Sequence, residues 1–430
     1  MAKKKKEEWS LSDTDALFDA QLKVGEERFG AGFHTGKEAE ERIVGLPLMF
    51  APSYLFQSTV LPLGRMTMIV GAPGSLKTSL LYEMFRWHRA YKGRNVLFEV
   101  ESKMSPDLMN SILNYDYNAV AVQSCQSLDE CIRNLSNAIS RIKAGLIGVK
   151  GAPGPGKAIP VGIGIDSLTA KMSEESATRF ASDGPGRAFP AEAQFLTQTM
   201  RAIPGLIDDW PWSLLCVNHE KKAINASVPH QKIIPGGIGL EFQSTFIIEM
   251  AFMKDIKTAD LKGVRVLMRM KKNSLGQSRG RLEAEMLWGM DYDSPEGAVQ
   301  RTFWNWYAAS IDLLISFNKD GTKSLWNRIN EIVDINRPKA NRVWSTVLGI
   351  PKDDPVTFHE AGRLLEQRED ILQQLRPLLG IKTRKPFVEG LDYRSQLLDV
   401  VGMKSTDTTD EEKVTSEEAS SSVESLVEQG

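Results

Sequence analysis

The sequence predicts an α/β fold: a mostly parallel, twisted sheet with helices on both faces, a small N-terminal arm and a mainly helical C-terminal region. Three observations carry that expectation. Between residues 46 and 300, short apolar runs alternate with helical stretches, the pattern of strands joined by crossover helices. Within it, the strand pattern Met66-Thr67-Met68-Ile69-Val70 leads through a Gly/Pro turn into the helical run Ser79-Leu80-Leu81-Tyr82. Beyond residue 300 the apolar spacing becomes helical.

Residues 1–45 are polar, with a sparsely apolar helix expected over 13–29, and read as an arm that docks on another surface. The expected strands are Met66–Val70, Asn95–Val100, Val161–Ile165, Ser213–Val217, Thr245–Met250, Val264–Met270 and Arg281–Met286. The first four are spaced widely enough for helical crossovers. The last three follow closely and predict an antiparallel extension of the sheet. Over 301–403, helices are expected at Arg301–Phe317, Leu325–Val333 and Phe358–Leu379. Residues 404–430 are Ser/Thr/Glu-rich, lack the apolar content of a core and read as a disordered acidic tail.

At 430 residues, 42% hydrophobic and 25% charged, the chain has the composition of an ordinary globular protein. Its net charge of −2 hides opposed ends: Lys3 to Lys6 near the start, and eight carboxylates against the lone Lys413 after residue 404. Cys125, Cys131 and Cys216 form no metal-like pairing and suit a reducing compartment. The N-terminal lysines are followed by Glu7-Glu8-Trp9, not by the apolar stretch of a signal peptide, and no apolar run reaches membrane-spanning length. The expected location is cytoplasmic.

The chemistry concentrates at Gly71-Ala72-Pro73-Gly74-Ser75-Leu76-Lys77-Thr78-Ser79, which follows the phosphate-binding layout G-x-x-x-x-G-K-[ST] except that Leu76 replaces the last glycine. Backbone N–H groups of Gly71, Gly74, Ser75, Leu76 and Ser79 and the helix N-terminus suit phosphate oxygens. Lys77 suits the β/γ oxygens of ATP, and Thr78 suits Mg²⁺. Gly151 to Ala158 repeats the glycine spacing, but Ala158 lacks a hydroxyl and Pro160 precedes a strand, so it reads as a surface connection. Val161–Asp166 is an apolar strand ending in an acid, placing Asp166 to hold the metal's water shell. Val96–Glu101 ends in Glu99 and Glu101; Glu101 is the candidate general base for water. Leu214–Glu220 ends in Asn218 and His219, either of which suits sensing of the γ-phosphate.

Taken in order, GAPGSLKTS, FEVES, GIGIDSL, CVNHE, PGGIGLEF and MKKNSLG over residues 46–295 resemble the ATPase core of bacterial RecA and its bacteriophage relatives of the UvsX type. DnaB-type helicases and circadian-clock-like ATPases share the first four. Phage recombinases also tolerate a bulky residue before the lysine, as at Leu76. The resemblance implies a DNA-dependent ATPase using ATP and Mg²⁺. It implies self-association into a helical filament on single-stranded DNA and pairing with homologous duplex DNA, with single-strand-binding and mediator proteins as further partners. Two loops, 171–189 and 220–237, would contact DNA. Basic, glycine-bearing loops suit a sequence-tolerant backbone contact. Arg179, Arg187, Lys222 and Lys232 lie in them. By carry-over, Arg201 of a helix over 192–201, Lys221 and the backbone of Gly236 and Gly237 would meet phosphate. His219 would couple nucleotide to these loops, and Lys272 would reach a neighbouring subunit's γ-phosphate. The family's second lysine of that pair is Ser274 here, and Phe242 stands where the family has an interfacial aromatic. The remaining alternatives are a ring-forming replicative helicase and a non-catalytic, nucleotide-dependent assembly protein. No motif carries over beyond residue 300. The acidic tail is expected to compete with DNA for basic loops, which deletion of residues 405–430 across a salt series would reveal.

Overall fold

A computed structural model of the chain describes residues 40–114, 116, 118–147, 159–169, 171, 178, 181–182, 185–208, 210–222, 232–236, 238–257, 261–277, 280–291, 299–318, 322–339 and 341–387. Residues 1–39 of the arm, the repeat of the phosphate-loop spacing at 151–158 and the acidic tail lie outside the described residues.

In chain order, β1 (Val44–Pro47), α1 (Phe50–Phe56) and β2 (Val60–Pro62) precede β3 (Arg65–Gly71) and α2 (Lys77–Ala90). There follow β4 (Arg94–Glu99), α3 (Pro106–Ile112), β5 (Val120–Ser124), α4 (Leu128–Ile147), β6 (Val161–Asp166), α5 (Pro185–Ile207) and β7 (Trp212–His219). The short β8 (Lys221–Lys222) and β9 (Lys232–Ile233) pair with each other and lead to α6 (Ile238–Gln243). Long strands β10 (Phe246–Lys257), β11 (Lys262–Asn273) and β12 (Arg281–Asp291) are followed by β13 (Val299–Trp304). The remainder comprises α7 (Trp306–Ser316), α8 (Lys323–Val333), β14 (Asn336–Lys339), β15 (Arg342–Trp344), β16 (Val356–Thr357), α9 (Phe358–Glu366), α10 (Glu369–Leu378) and β17 (Lys385–Pro386).

Nine strands form the central sheet in the order β13-β12-β11-β10-β3-β7-β6-β4-β5. From β10 to β5 every neighbouring pair is parallel; from β10 to β13 every pair is antiparallel. Parallel strands need both faces covered, and the alternation of side chains along each strand supplies two apolar faces. On β7, Leu215 and Val217 join one buried cluster with α1, α2 and α7, while Leu214 and Cys216 join the other with α4 and α5. On β3, Ile69 faces the first cluster, and Met66, Met68 and Val70 face the second. The mostly parallel α/β architecture is the one the sequence predicts, resembling a RecA-like core.

Several local expectations are corrected. The helix expected over 301–317 begins only at Trp306, because Val299–Trp304 pairs with β12 and closes the sheet. Asn305 marks the change: its side chain accepts the Ala308 N–H at 3.2 Å and caps α7. The helix expected over 358–379 breaks at Gln367-Arg368 into α9 and α10, with Arg368 donating to the Val347 carbonyl at 2.7 Å. Helix α5 begins at Pro185, so residues 185–189, expected in a loop, are helical. Strands β10 to β12 run longer than predicted because their partners continue the ladder beyond the end of β3.

The first cluster runs from Leu46 to Ile381 and includes Trp304 and Trp306, whose rings stack with centroids 5.4 Å apart. Below α2, Glu83 accepts from Arg86 Nε at 2.8 Å, Trp87 Nε1 at 3.0 Å and Trp306 Nε1 at 2.8 Å, all buried. A second tie closes the chain on itself: β17 lies parallel to β1, and Arg384 donates to Glu40 and to the Leu275 carbonyl at 2.9 Å.

Candidate nucleotide site and the strand ends around it

The sheet's carboxyl edge gathers the sequence-predicted acids and loop. Register aligns Met250, Gly71 and His219 on β10, β3 and β7, then Ile165 with Cys216, and Asp166 with Glu99. Ligands of open α/β sheets sit outside this edge, where crossovers depart in opposite directions.

The loop leaving β3 turns through Ala72, Pro73 and Gly74, all exposed, and returns to buried Ser75 and Lys77 at the start of α2. Ser75 Oγ and Lys77 Nζ each donate to the Ala72 carbonyl at 2.8 Å, folding the loop around its own backbone. Gly74 has φ 79°, and a Cβ there would meet nothing within 4 Å, so the loop borders open space on that side. Leu76 takes φ 64° and ψ 27°, the left-handed conformation that glycine adopts freely. Its side chain packs on the first apolar cluster, and its carbonyl accepts the Leu80 N–H at 3.0 Å as the helix starts. Ser79 is buried one turn below.

Thr78 Oγ1 donates to Asp166 Oδ2 at 2.7 Å, so the hydroxyl and the acid that the sequence separates by 88 positions meet at one point. The other oxygen, Asp166 Oδ1, is buried with no hydrogen-bond partner among the described residues. Burial pushes the Asp166 carboxyl up to about 6, against the opposing Thr78 hydrogen bond and the charge of Lys77. Burial likewise draws the Lys77 ammonium below its usual range, with Asp166, Glu101 and Glu220 pulling the other way. Each of these charged groups lacks the solvation a partner would supply. An orphaned carboxylate oxygen, a hydroxyl beside it and an underneutralised lysine facing an open loop fit a Mg²⁺-bound polyphosphate.

Glu101 stands just beyond β4, with Oε2 3.4 Å from His219 Nε2 and Oε1 2.7 Å from Lys103 Nζ. Burial opposes ionisation of Glu101, but the hydrogen bond from Lys103 and the charges of His219 and Lys103 hold its carboxyl below the usual range. Burial and Lys77 draw His219 below its usual value. Glu101 pulls the imidazole the other way, by its charge and its hydrogen bond. Glu99 is buried and accepts the Lys103 N–H at 2.8 Å, which fixes the turn carrying Glu101.

The residues expected on DNA divide. Arg179 and Gly237 lie outside the described residues. Arg187 is placed by its backbone in α5, Lys221 and Lys222 in β8 and Lys232 in β9. Arg201 is exposed on α5. Gly236 has φ 98°, and a Cβ there would strike Leu240 Cδ1 at 2.3 Å, so its glycine answers a backbone and packing demand. Lys272 Nζ donates to the Glu241 and Phe242 carbonyls at 2.7 and 2.9 Å, and Lys271 lies 3.5 Å from Glu241. Both lysines thus hold the end of α6, while the Phe242 side chain, on a residue 69% exposed, projects outward. Sequence reasoning passed over Lys103, whose only signal was its place two residues after Glu101. It also left Asn218 as an alternative to His219.

A glycine loop, a Thr–Asp pair and a Glu–His contact thus meet at one sheet edge, the arrangement of a candidate nucleotide site. Among named proteins, the chain is similar to Protein RecA of Aquifex aeolicus, 22% identical over 293 residues, covering 65% of this chain and 76% of that protein. Protein RecA of Lactobacillus acidophilus is 22% identical over 385 residues, covering 86% and 98% of the two chains. Protein RecA of Bacillus mycoides is 22% identical over 284 residues, covering 65% and 77%. No protein-family model matches the chain. Each of these similarities is to a RecA protein, at 22% identity. Among the described residues no helix is long and apolar enough to cross a membrane.

Proposed function

We propose that the chain is an ATP- and Mg²⁺-dependent DNA recombinase, a DNA-dependent ATPase that assembles as a helical filament on single-stranded DNA and promotes pairing with homologous duplex and strand exchange. The observation that supports this most is the Thr78–Asp166 hydrogen bond beside the orphaned Asp166 oxygen, with Glu101 and His219 in contact on the neighbouring strand ends. Gly71, Gly74, Ser75, Leu76 and Ser79 would cradle the phosphates, Lys77 would meet the β/γ oxygens, and Thr78 and Asp166 would hold Mg²⁺. Glu101 would orient and deprotonate the attacking water. His219 would relay the nucleotide's state, and Lys272 would leave the end of α6 for a neighbouring subunit's nucleotide. Arg179, Arg187, Arg201, Lys221, Lys222, Lys232, Gly236 and Gly237 would contact DNA phosphates. Leu76 favours the phage UvsX-like subgroup.

The reading is tested by turnover with and without oligo(dT), and by electron microscopy with a slowly hydrolysed ATP analogue. Stimulation by DNA and open filaments are expected; closed hexamers would transfer the chain to the helicase reading. Lys77→Ala is expected to abolish turnover. Glu101→Gln should bind ATP yet lose about 10²-fold or more in rate, the usual scale of a lost general base; normal turnover in that variant would remove Glu101 from the role.

A further inference from the structure

One fully buried side chain at the site's edge makes three hydrogen bonds that hydrolysis itself does not use. Asn218, next to His219 on β7, accepts at Oδ1 from the Thr169 hydroxyl at 2.7 Å and from the His219 N–H at 2.8 Å. Its Nδ2 donates to the Pro235 carbonyl at 2.9 Å. A backbone N–H only donates and a carbonyl only accepts, so these partners fix which way round the carboxamide lies. They also restrict the residue: an ionised Asp accepts but cannot donate to Pro235, and Leu fills the space while doing neither.

The two residues held are the roots of the two stretches read as DNA-contacting. Thr169 lies two residues before the first, Pro235 near the end of the second. The first root is braced further. Leu168 N–H donates to the Val217 carbonyl at 3.0 Å, and Lys171 Nζ donates to Ser102 Oγ at 3.0 Å and to the Cys125 carbonyl at 2.8 Å. Ser102 directly follows Glu101. The second root is stiffened by Gly236, packed against Leu240 and Leu196. Both roots and the two strand ends that carry Glu101 and His219 thus form one hydrogen-bonded unit with Asn218 at its crossing.

We propose that Asn218 is a positioning residue that clamps Thr169 and Pro235 to the end of β7, so that nucleotide occupancy and DNA affinity are coupled through this one carboxamide. This rests on the DNA-dependent ATPase reading above, and the two fail separately. Coupling between sites in proteins commonly spans about 5-fold to 150-fold in affinity, and the clamp accounts for most of it here.

The test uses the full chain with Mg²⁺, fluorescein-labelled oligo(dT) and a slowly hydrolysed ATP analogue. It compares Thr169→Val, Thr169→Ser, Asn218→Asp and Asn218→Leu with the wild type. The readouts are the ratio of oligo(dT) affinities with and without the analogue, and hydrogen exchange at the Thr169 and Ile234 amides. Thr169→Ser should keep the wild-type ratio. Thr169→Val and Asn218→Asp should each lower it at least about fivefold, and Asn218→Leu should bring it to about one. The nucleotide-dependent change at Ile234 should vanish in Asn218→Asp, while the change at Thr169 should vanish in Thr169→Val. Unchanged ratios in folded Thr169→Val and Asn218→Asp would overturn the clamp. If Asn218→Leu does not fold, the Val/Ser pair at Thr169 decides. If the wild type does not bind oligo(dT), the DNA reading fails and the clamp is judged on exchange alone. It stands if the nucleotide-dependent changes disappear in these variants, and falls if they persist or the wild type shows none.

Discussion

Leu76 holds the left-handed conformation at the start of α2, which costs a leucine roughly 1–2 kcal/mol relative to a residue at ease there. What offsets the cost is visible: the side chain packs on the apolar cluster beneath the helix. Alanine at this position would keep the strain and lose the packing, whereas glycine would lose the packing and the strain together. Leu76→Gly is therefore expected to be more stable than Leu76→Ala by about 1 kcal/mol, read from denaturant midpoints. A second residue sets a pH response. His88 is fully buried, with Nδ1 2.8 Å from the Met84 carbonyl and Nε2 3.1 Å from Ser213 Oγ. Burial pushes its pKa down to about 4 from an ordinary 6.5, against the Met84 hydrogen bond. The unfolded chain binds the proton first, so this contribution is complete above pH 6.5 and is lost as pH falls through 6.5 towards 4. The full effect is about 3 kcal/mol. Unfolding midpoints at pH 7.5 and 4.5 should differ by more in the wild type than in His88→Gln.

At the scale of elements, α2 carries the phosphate loop at one end and a buried carboxylate at its middle. Glu83 neutralises Arg86 and receives both indole N–H groups, joining α2 to α7 across the first core. Removing one partner of such a pair leaves an uncompensated buried charge, about 3–5 kcal/mol, while replacing both with apolar residues of similar size is far milder. Glu83→Leu should therefore destabilise strongly, and Glu83→Leu with Arg86→Met should recover only the share owed to the unpaired guanidinium in thermal unfolding, because the Trp87 and Trp306 indoles remain without their acceptor. Such elements also show what the sequence could and could not disclose. The strand–loop–helix at Met66–Ala90 and the acids ending β4 and β6 were legible because their signals are local: apolar alternation, a glycine turn, a polar residue at the strand's exit. Strand β13 was not, since Phe303, Trp304 and Trp306 read equally as helix or strand, and only pairing with β12 decides between them. The break at Gln367-Arg368 has no Gly or Pro to announce it; Arg368 turns the chain by reaching Val347, a contact sequence spacing does not reveal. Asn218 was visible as a polar strand end, but its clamp depends on Thr169 and Pro235, each brought to it by a separate crossover.

At the scale of the molecule, one cluster spans the chain from Leu46 to Ile381, so residues beyond 300 share their core with the phosphate-loop helix. Arg384 completes the closure. Its side chain is 2% exposed and donates to Leu275, three residues after Lys272, while its N–H donates to Thr59 Oγ1 at 3.0 Å. The Glu40 carboxylate it also meets is half-exposed, so solvent screens much of that ion pair. The buried bond to the Leu275 carbonyl carries more of the weight. Arg384→Met is expected to cost about 1–3 kcal/mol and to raise hydrogen exchange around Leu275 ahead of global unfolding.

The pairing of β1 with β17 also gives the described chain a mechanical character. Residue 40 enters at one end of a strand and residue 387 leaves at the far end of its parallel neighbour. A load drawn between these two points pulls the strands lengthwise past each other, so their hydrogen bonds are stressed together and do not open one by one. The Glu40–Arg384 contact ties the same two segments together. Tension applied between residues 40 and 387 is thus borne first by this small seam, on the flank next to Leu275, before it reaches the sheet that holds the nucleotide loop.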